Sequence, residues 1–291
     1  MKKIIANRIV TSIKPKHEKT NGEAARHARR AYKQRYSISQ IVLIVTLIFL
    51  FLPLFVLVIY SFNSSTSLQW TGFSFRWYQR LLTERGLWTA VRNSLVIAIS
   101  SATTATVIGT AGAIGVSWYK FKLRNYVQTI SFLPMILPEI IIGVSLAIFF
   151  AGVGIQLGLF TIYIAHTTFN LPFVFLLVMA RLDEFDFSII EAAKDLGATE
   201  RQILLKVTLP ICMPGILSGF LTAITLSLED FVITFFVSGP GSTTLPIFIY
   251  SAITRKGGIT PLISALSVVM ILGTVLLCIM LRKFLKYIAA K

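Results

Sequence analysis

The chain has 291 residues, 55% of them hydrophobic and only 14% charged, with a mean hydropathy of +0.76 and a formal net charge of +16. Soluble domains carry about 25% charged residues, so this composition excludes most soluble classes and calls for a bilayer as solvent. The basic balance does not point to nucleic acid, because the charge sits in tails and loops flanking apolar runs, where the membrane accounts for it.

Residues 1–37 form a basic tail, with 11 Lys and Arg before the first apolar run. Few apolar residues interrupt it, so it is expected to be irregular or to lie on an anionic lipid surface. The run beginning near Ile38 is too long for the apolar part of a cleavable signal and reads as an anchor. At about 20 residues per span, the chain divides into six transmembrane helices near 38–62, 94–117, 126–150, 159–180, 214–237 and 263–281. Together they make a membrane domain over 38–283, followed by a short tail at 284–291. With spans alternating, 22 Lys and Arg fall on one side and 6 on the other. That asymmetry puts both termini in the cytoplasm.

The outer segment 63–93 carries Trp70, Phe73, Phe75, Trp77, Tyr78 and Trp88, rings suited to the membrane interface, and an interfacial helix is predicted near Arg76 to Leu82. In the second span Ala102, Ala105, Gly109 and Gly112 share one face, which suits close helix packing. Pro134 and Pro138 interrupt the third span and predict a kinked helix. In the fourth, Tyr163, His166 and Asn170 share a face, as interhelical hydrogen bonding or substrate contact would require. A lone His without a second ligand at suitable spacing is no metal site. Cys212 and Cys278 lie in or beside apolar segments and read as small hydrophobes, forming neither a disulfide nor a metal site.

The 30-residue loop from Arg181 to Pro210 is too long for a mere connection. Ser188 with Glu191, and Thr199 with Gln202, form two capping boxes; Gly197 stops the first helix and Pro210 closes the second. The reading is helix, Gly bend, helix. Pieces this short are marginal alone, and Ala192, Ala193 and Leu196 among Glu191, Lys194 and Asp195 make a small knob suited to a groove in a soluble partner.

Acids inside spans are costly, at roughly 2.5–3.5 kcal/mol each near the bilayer centre. Glu229 and Asp230 fall well inside the fifth predicted span. Ser218, Thr222, Thr225 and Glu229 lie on one helical stripe, while Asp230 points about 100° away. A polar stripe ending in a carboxylate suits a path for a cationic, hydrogen-bonding solute. An internal ion pair, or a position at the aqueous mouth, would explain the same acids. Glu139, after Pro138, either lines that path or caps backbone groups freed at the kink. Gly239, Pro240 and Gly241 mark an external turn, beyond which Tyr250 lies where an external protein could dock.

Glu191, Ala192, Ala193 and Gly197, with Leu209 and Pro210 closing the stretch, resemble the EAA loop of ATP-binding-cassette (ABC) importer permeases: EAA, three residues, Gly, nine residues, Ile, any residue, Leu-Pro. Val207 replaces the Ile. From about residue 70 onward the chain is similar to the spermidine/putrescine branch, because Leu228 to Val237, Gly239 to Gly241 and Thr244 to Pro246 resemble the second permease subunit of polyamine importers. The resemblance implies an all-α type I importer permease fold in a bacterial plasma membrane. It also implies a coupling helix at Glu191 to Gly197, Asp195 included, seated in an ABC ATPase dimer. The expected partners are that ATPase, a second homologous permease, an external substrate-binding protein and a polyamine substrate. No G-x-x-x-x-G-K-[ST] phosphate loop occurs, so ATP and Mg would belong to the ATPase and this chain is expected to be neither an enzyme nor a cofactor binder. Two other readings are an importer permease for a different small solute and an ion-coupled secondary transporter using Glu229 or Asp230 as proton carrier. The long loop and the lack of an evident inverted repeat speak against the second.

Overall fold

The structure, a computed structural model, describes residues 17–66, 69–119, 121–184, 186–255 and 260–289, and of these the side chains within 38–276 and at 279. The chain divides into two compact units, residues 1–60 and 61–291. The first unit is one helix, α1 (His17–Tyr60), whose apolar part runs from Ile38 to Tyr60. Helix therefore extends back through residues 17–37, part of the tail expected to be irregular or to lie on an anionic lipid surface. Good helix formers such as Ala24, Ala25, Ala31 and Gln34 propagate a helix that the apolar run has already nucleated. The rest of the tail, 1–16, lies outside the described residues.

The second unit contains α2 (Arg76–Thr83), α3 (Arg85–Trp118), α4 (Arg124–Ser131), α5 (Leu133–Ile136), α6 (Glu139–Gly152) and α7 (Leu159–Asp183). It continues with α8 (Ser188–Asp195), α9 (Glu200–Ile203), a π-helical turn (Leu204–Thr208), α10 (Leu209–Glu229), α11 (Val232–Val237), α12 (Leu245–Arg255) and α13 (Pro261–Ala289). Among the described residues no strand forms; a single antiparallel bridge joins Asn63 and Phe73.

The core is the three-way contact of α3, α7 and α10. Val174 of α7 lies between two glycines: a Cβ on Gly109 of α3 would meet it at 3.0 Å, and one on Gly219 of α10 would reach its Cα at 3.2 Å. Close approach of the backbones is what small residues in spans permit. Ala102, Ala105 and Gly109 are buried there as their shared face predicts, and Gly112 meets the Phe175 ring. Phe175, Val178, Leu182 and Cys212, the last a free thiol, complete this core. A second cluster packs Ile142 and Phe150 of α6 and Ile162 and Phe169 of α7 around Ile233 and Val237 of α11.

Among the described residues four helices are long and apolar enough to cross a bilayer, and a fifth crossing arises if α4 through α6 count as one. That third segment is not the simple kinked helix of the sequence reading, because its halves meet at 103° across Leu137 and Pro138. Leu137 is extended (ψ 141°), as the residue before a proline prefers. The predicted interfacial helix near Arg76 is α2, but Trp77 is not at an interface. Its ring is buried with Leu81 against Leu245, Leu262 and Leu266, and its indole N–H donates to the Asn63 carbonyl at 2.7 Å. Trp70, Phe73, Phe75 and Trp88 remain exposed.

Candidate coupling helix and translocation face

The loop after α7 folds as helix, Gly bend, helix. The first capping box does not form: the Ser188 N–H donates to the Asp186 carboxylate at 2.9 Å, and no side chain of Ser188 caps α8. That hydrogen bond holds the Asp186 carboxyl below the usual carboxylate range. Asp186 takes the capping role because it stands before the helix, two residues upstream of the N–H it accepts from, while Ser188 is already the first helical residue, and because it carries the charge that helix N-termini favour.

At the other end, the Gly197 N–H donates to Lys194 O (2.8 Å) and the Ala198 N–H to Ala193 O (3.0 Å), with Gly197 at φ +78°. This is the two-bond C-terminal cap that needs a left-handed residue, which explains why glycine ends the EAA stretch. No residue of α8 is buried; Glu191, Ala192 and Asp195 are exposed, and Leu196 presents 89% of its surface. Behind α8 lies a cleft of about 700 Å³, lined by Ile190, Glu191 and Lys194 of the helix itself and by Trp118, Arg124, Asp183, Phe187 and Ile203.

The second capping box does form, with the Gln202 N–H on Thr199 Oγ1 and the Thr199 N–H on Gln202 Oε1. Pro210, by contrast, does not close this helix. Helix continues without interruption from Glu200 to Glu229, a 30-residue element. Proline lacks the N–H that would reach the carbonyl four residues back and crowds that carbonyl. The preceding turn widens instead: Leu209 N–H bonds Leu204 O, five residues back, in the π-helical turn Leu204–Thr208. Leu209 and Pro210 thus mark a register change inside one rod.

The rod ends at Glu229 rather than running through 237. Asp230 breaks it (φ −64°, ψ 120°) and starts α11. Its carboxylate accepts from the Thr234 N–H (2.8 Å), the Thr234 hydroxyl (2.6 Å) and the Ile233 N–H (3.3 Å). His166 Nε2 lies 3.1 Å from the same carboxylate and 2.8 Å from Thr234 Oγ1, and Nδ1 lies 2.6 Å from Ser227 Oγ. Ser101 of α3 donates in turn to Ser227 at 3.4 Å. One tautomer serves the whole chain: Ser101 to Ser227, Ser227 to Nδ1, and Nε2–H to Asp230. His166 and Asp230 are 2% and 9% exposed, so the charge is buried but answered on every side. Of the explanations open for Asp230, an internal partner is the one observed, and the partner is a histidine.

Glu229 behaves oppositely. It is exposed, and among the described residues it makes no hydrogen bond or ion pair. Ser218 and Thr225 are exposed on the same stripe and Thr222 is half-buried, each hydroxyl of the exposed pair donating to its own helix (2.8 Å to Pro214 O, 3.0 Å to Leu221 O). Glu139 is exposed in the first turn of α6. The structure therefore leaves Thr222, Thr225 and Glu229 on one open face and withdraws Asp230 behind it. Tyr163 also resolves to packing, its hydroxyl 2.8 Å from Thr104 Oγ1. Sequence reasoning missed Ser227 and Thr234 and did not join His166 to Asp230. The only signal was that an intramembrane acid needs a partner, and 64 residues separate the two.

Residues 105–291 match the family model described as "Binding-protein-dependent transport system inner membrane component". The chain belongs to that family. This permease is 39% identical over 232 residues to the spermidine/putrescine transport system permease protein PotC of Escherichia coli (strain K12), covering 79% of this chain and 87% of that one. To the putrescine transport system permease protein PotI of the same organism the permease is 42% identical over 243 residues, 81% and 85% of the two chains. Among solved structures it superposes on a chain of a bacterial ABC transporter that imports alginate, with TM-score 0.72, 17% identity and 88% and 98% coverage. A chain of the MetNI methionine ABC transporter gives 0.57, at 23% identity and 70% and 95% coverage. The permease thus has the helical fold of type I ABC importer permeases.

Proposed function

We propose that this permease carries putrescine, spermidine or both across a bacterial inner membrane, as one of two homologous membrane subunits driven by an ABC ATPase dimer and fed by an external binding protein. The observation that carries the reading is the 39–42% identity to permeases named for these amines over about four-fifths of the chain. The reading takes six crossings, α4 through α6 and α13 included, with both termini in the cytoplasm.

In this mechanism α8 is the contact with the ATPase. Glu191, Ala192, Ala193 and Asp195 seat in the partner, and Gly197 hands the motion to the rod that follows. Thirty helical residues span about 45 Å, so one continuous element links the coupling helix to the acid at its far end. Leu209 and Pro210 lie at its π-helical turn, where a rotation can be taken up without breaking the helix. Closure of the ATPases, which hold ATP and Mg, displaces α8, tilts the rod and changes which side Glu229, Thr222 and Thr225 face. Glu139, at the 103° bend, joins that path. Asp230 serves it from behind, by holding the break at which Glu229 ends the rod.

The test is ATP hydrolysis by the complete complex in lipid, with the binding protein and a panel of putrescine, spermidine, amino acids and sugars. Stimulation by the amines, reduced in Glu229→Gln while assembly is intact, supports the reading. Stimulation by another solute alone removes the polyamine assignment, and hydrolysis indifferent to all of them removes the importer.

A further inference from the structure

Three aromatic rings gather immediately beyond the free acid. The Tyr250 ring of α12 lies 4.8 Å from Phe231 and 6.0 Å from Phe235, and the two phenylalanines are 5.5 Å apart. They are not core filling: Phe235 is 49% and Tyr250 45% exposed, and Phe231 is half-buried beneath them. Phe231 is two residues from Glu229, so at most about 7 Å of backbone separates them.

The stretch of chain that carries Glu229 and the two phenylalanines holds acids and no base, the nearest base on the Tyr250 helix being Arg255 in its last turn. No Lys or Arg occurs between Leu209 and Val237, Asp230 is occupied by His166 and Thr234, and the C-terminus of α10 adds the negative end of its dipole. A carboxylate and ring faces both attract cations, and neither attracts an anion. They also differ usefully. A carboxylate accepts any cation, whereas a ring face favours an ammonium whose methylene stem lies along the rings, and a small inorganic ion that keeps its water gains little from it.

We infer that Phe231, Phe235 and Tyr250 form an aromatic face that, with the Glu229 carboxylate, takes one ammonium group of the organic cation in transit and selects it over inorganic cations. This deepens the polyamine reading and rests on it.

The test uses the complete transporter in proteoliposomes with saturating binding protein, following uptake of labelled putrescine and spermidine. Tyr250→Leu and Phe235→Leu keep apolar bulk but remove the ring, and each should lower uptake by roughly 2- to 30-fold, the range of a cation over an aromatic face. Tyr250→Phe should retain most of the rate, and Tyr250→Trp should equal or exceed it. A role in packing alone would rank the variants by fit, with Trp as harmful as Leu, and would show as loss of the co-purified complex. If Tyr250→Leu does not assemble, Phe235→Leu decides. Wild-type uptake of the amines with both leucine variants indifferent overturns the aromatic face alone. A wild-type complex that moves no amine overturns the polyamine reading and this inference with it.

Discussion

Two neighbouring acids, Glu229 and Asp230, share a sequence context and end in different chemistry. Asp230 accepts three hydrogen bonds from α11 and faces His166 at 3.1 Å; Glu229 accepts none among the described residues. The buried pair yields a prediction. Removing one member leaves the other's buried polar group without its partner, at about 1–3 kcal/mol. His166→Ala and Asp230→Ala should each lower the thermal stability of the purified complex, and the double variant should fall short of the summed losses by about 0.5–3 kcal/mol. Additive losses would mean that the 3.1 Å contact carries no coupling. Both acids were visible in the sequence as costly residues. Their division was not, because a helical wheel gives the direction of a side chain and not what stands there.

The loop between α7 and α10 shows how far local grammar reaches. Gly197 and the Thr199–Gln202 box were legible, since caps depend on a few adjacent residues. The first box failed because Asp186, two residues upstream of Ser188, offered a better acceptor, and Pro210 failed as a terminator because a π-helical turn absorbed it. At Gly197 the left-handed backbone makes Gly197→Ala cost about 1–2 kcal/mol; uptake-coupled ATP hydrolysis should fall, with Gly197→Asn less affected. Asp186 carries a pH signature. Its folded value lies below the ordinary one near 3.9, so its contribution is complete above that ordinary value and disappears as pH falls through the folded one. A spin label at Ala192→Cys should therefore report the same α8 mobility from pH 5 to 8 and greater mobility only in stronger acid. Asp186→Ala should show that greater mobility already at neutral pH.

Across the whole molecule, the uneven distribution of basic residues makes a topological prediction. In a background lacking Cys212 and Cys278, a single cysteine at Leu196 should react with a membrane-impermeant maleimide only in inverted vesicles. One at Leu82, on α2, should react only in right-side-out ones; the reverse pattern would overturn the assigned orientation. The spans at 38–62, 94–117 and 159–180 correspond to long helices at Ile38–Tyr60, Arg85–Trp118 and Leu159–Asp183. The third and fifth, each crossed by a residue that disrupts helix, broke where no hydropathy window could place the break.

The sequence by itself determined the solvent, the apolar helices, the small-residue seam and the Gly-capped turn after α7, because composition, 3.6-residue periodicity and helix caps act over one or two turns of chain. Tertiary structure alone decided that Val174 wedges between Gly109 and Gly219, that Trp77 turns inward, and that the third segment bends by 103°. It alone withdrew Asp230 behind Glu229. Apart from the bend, whose site Pro138 sets and whose angle packing fixes, these depend on residues tens to more than a hundred positions apart meeting in space, and a buried polar group takes whichever partner the packing brings within hydrogen-bond reach.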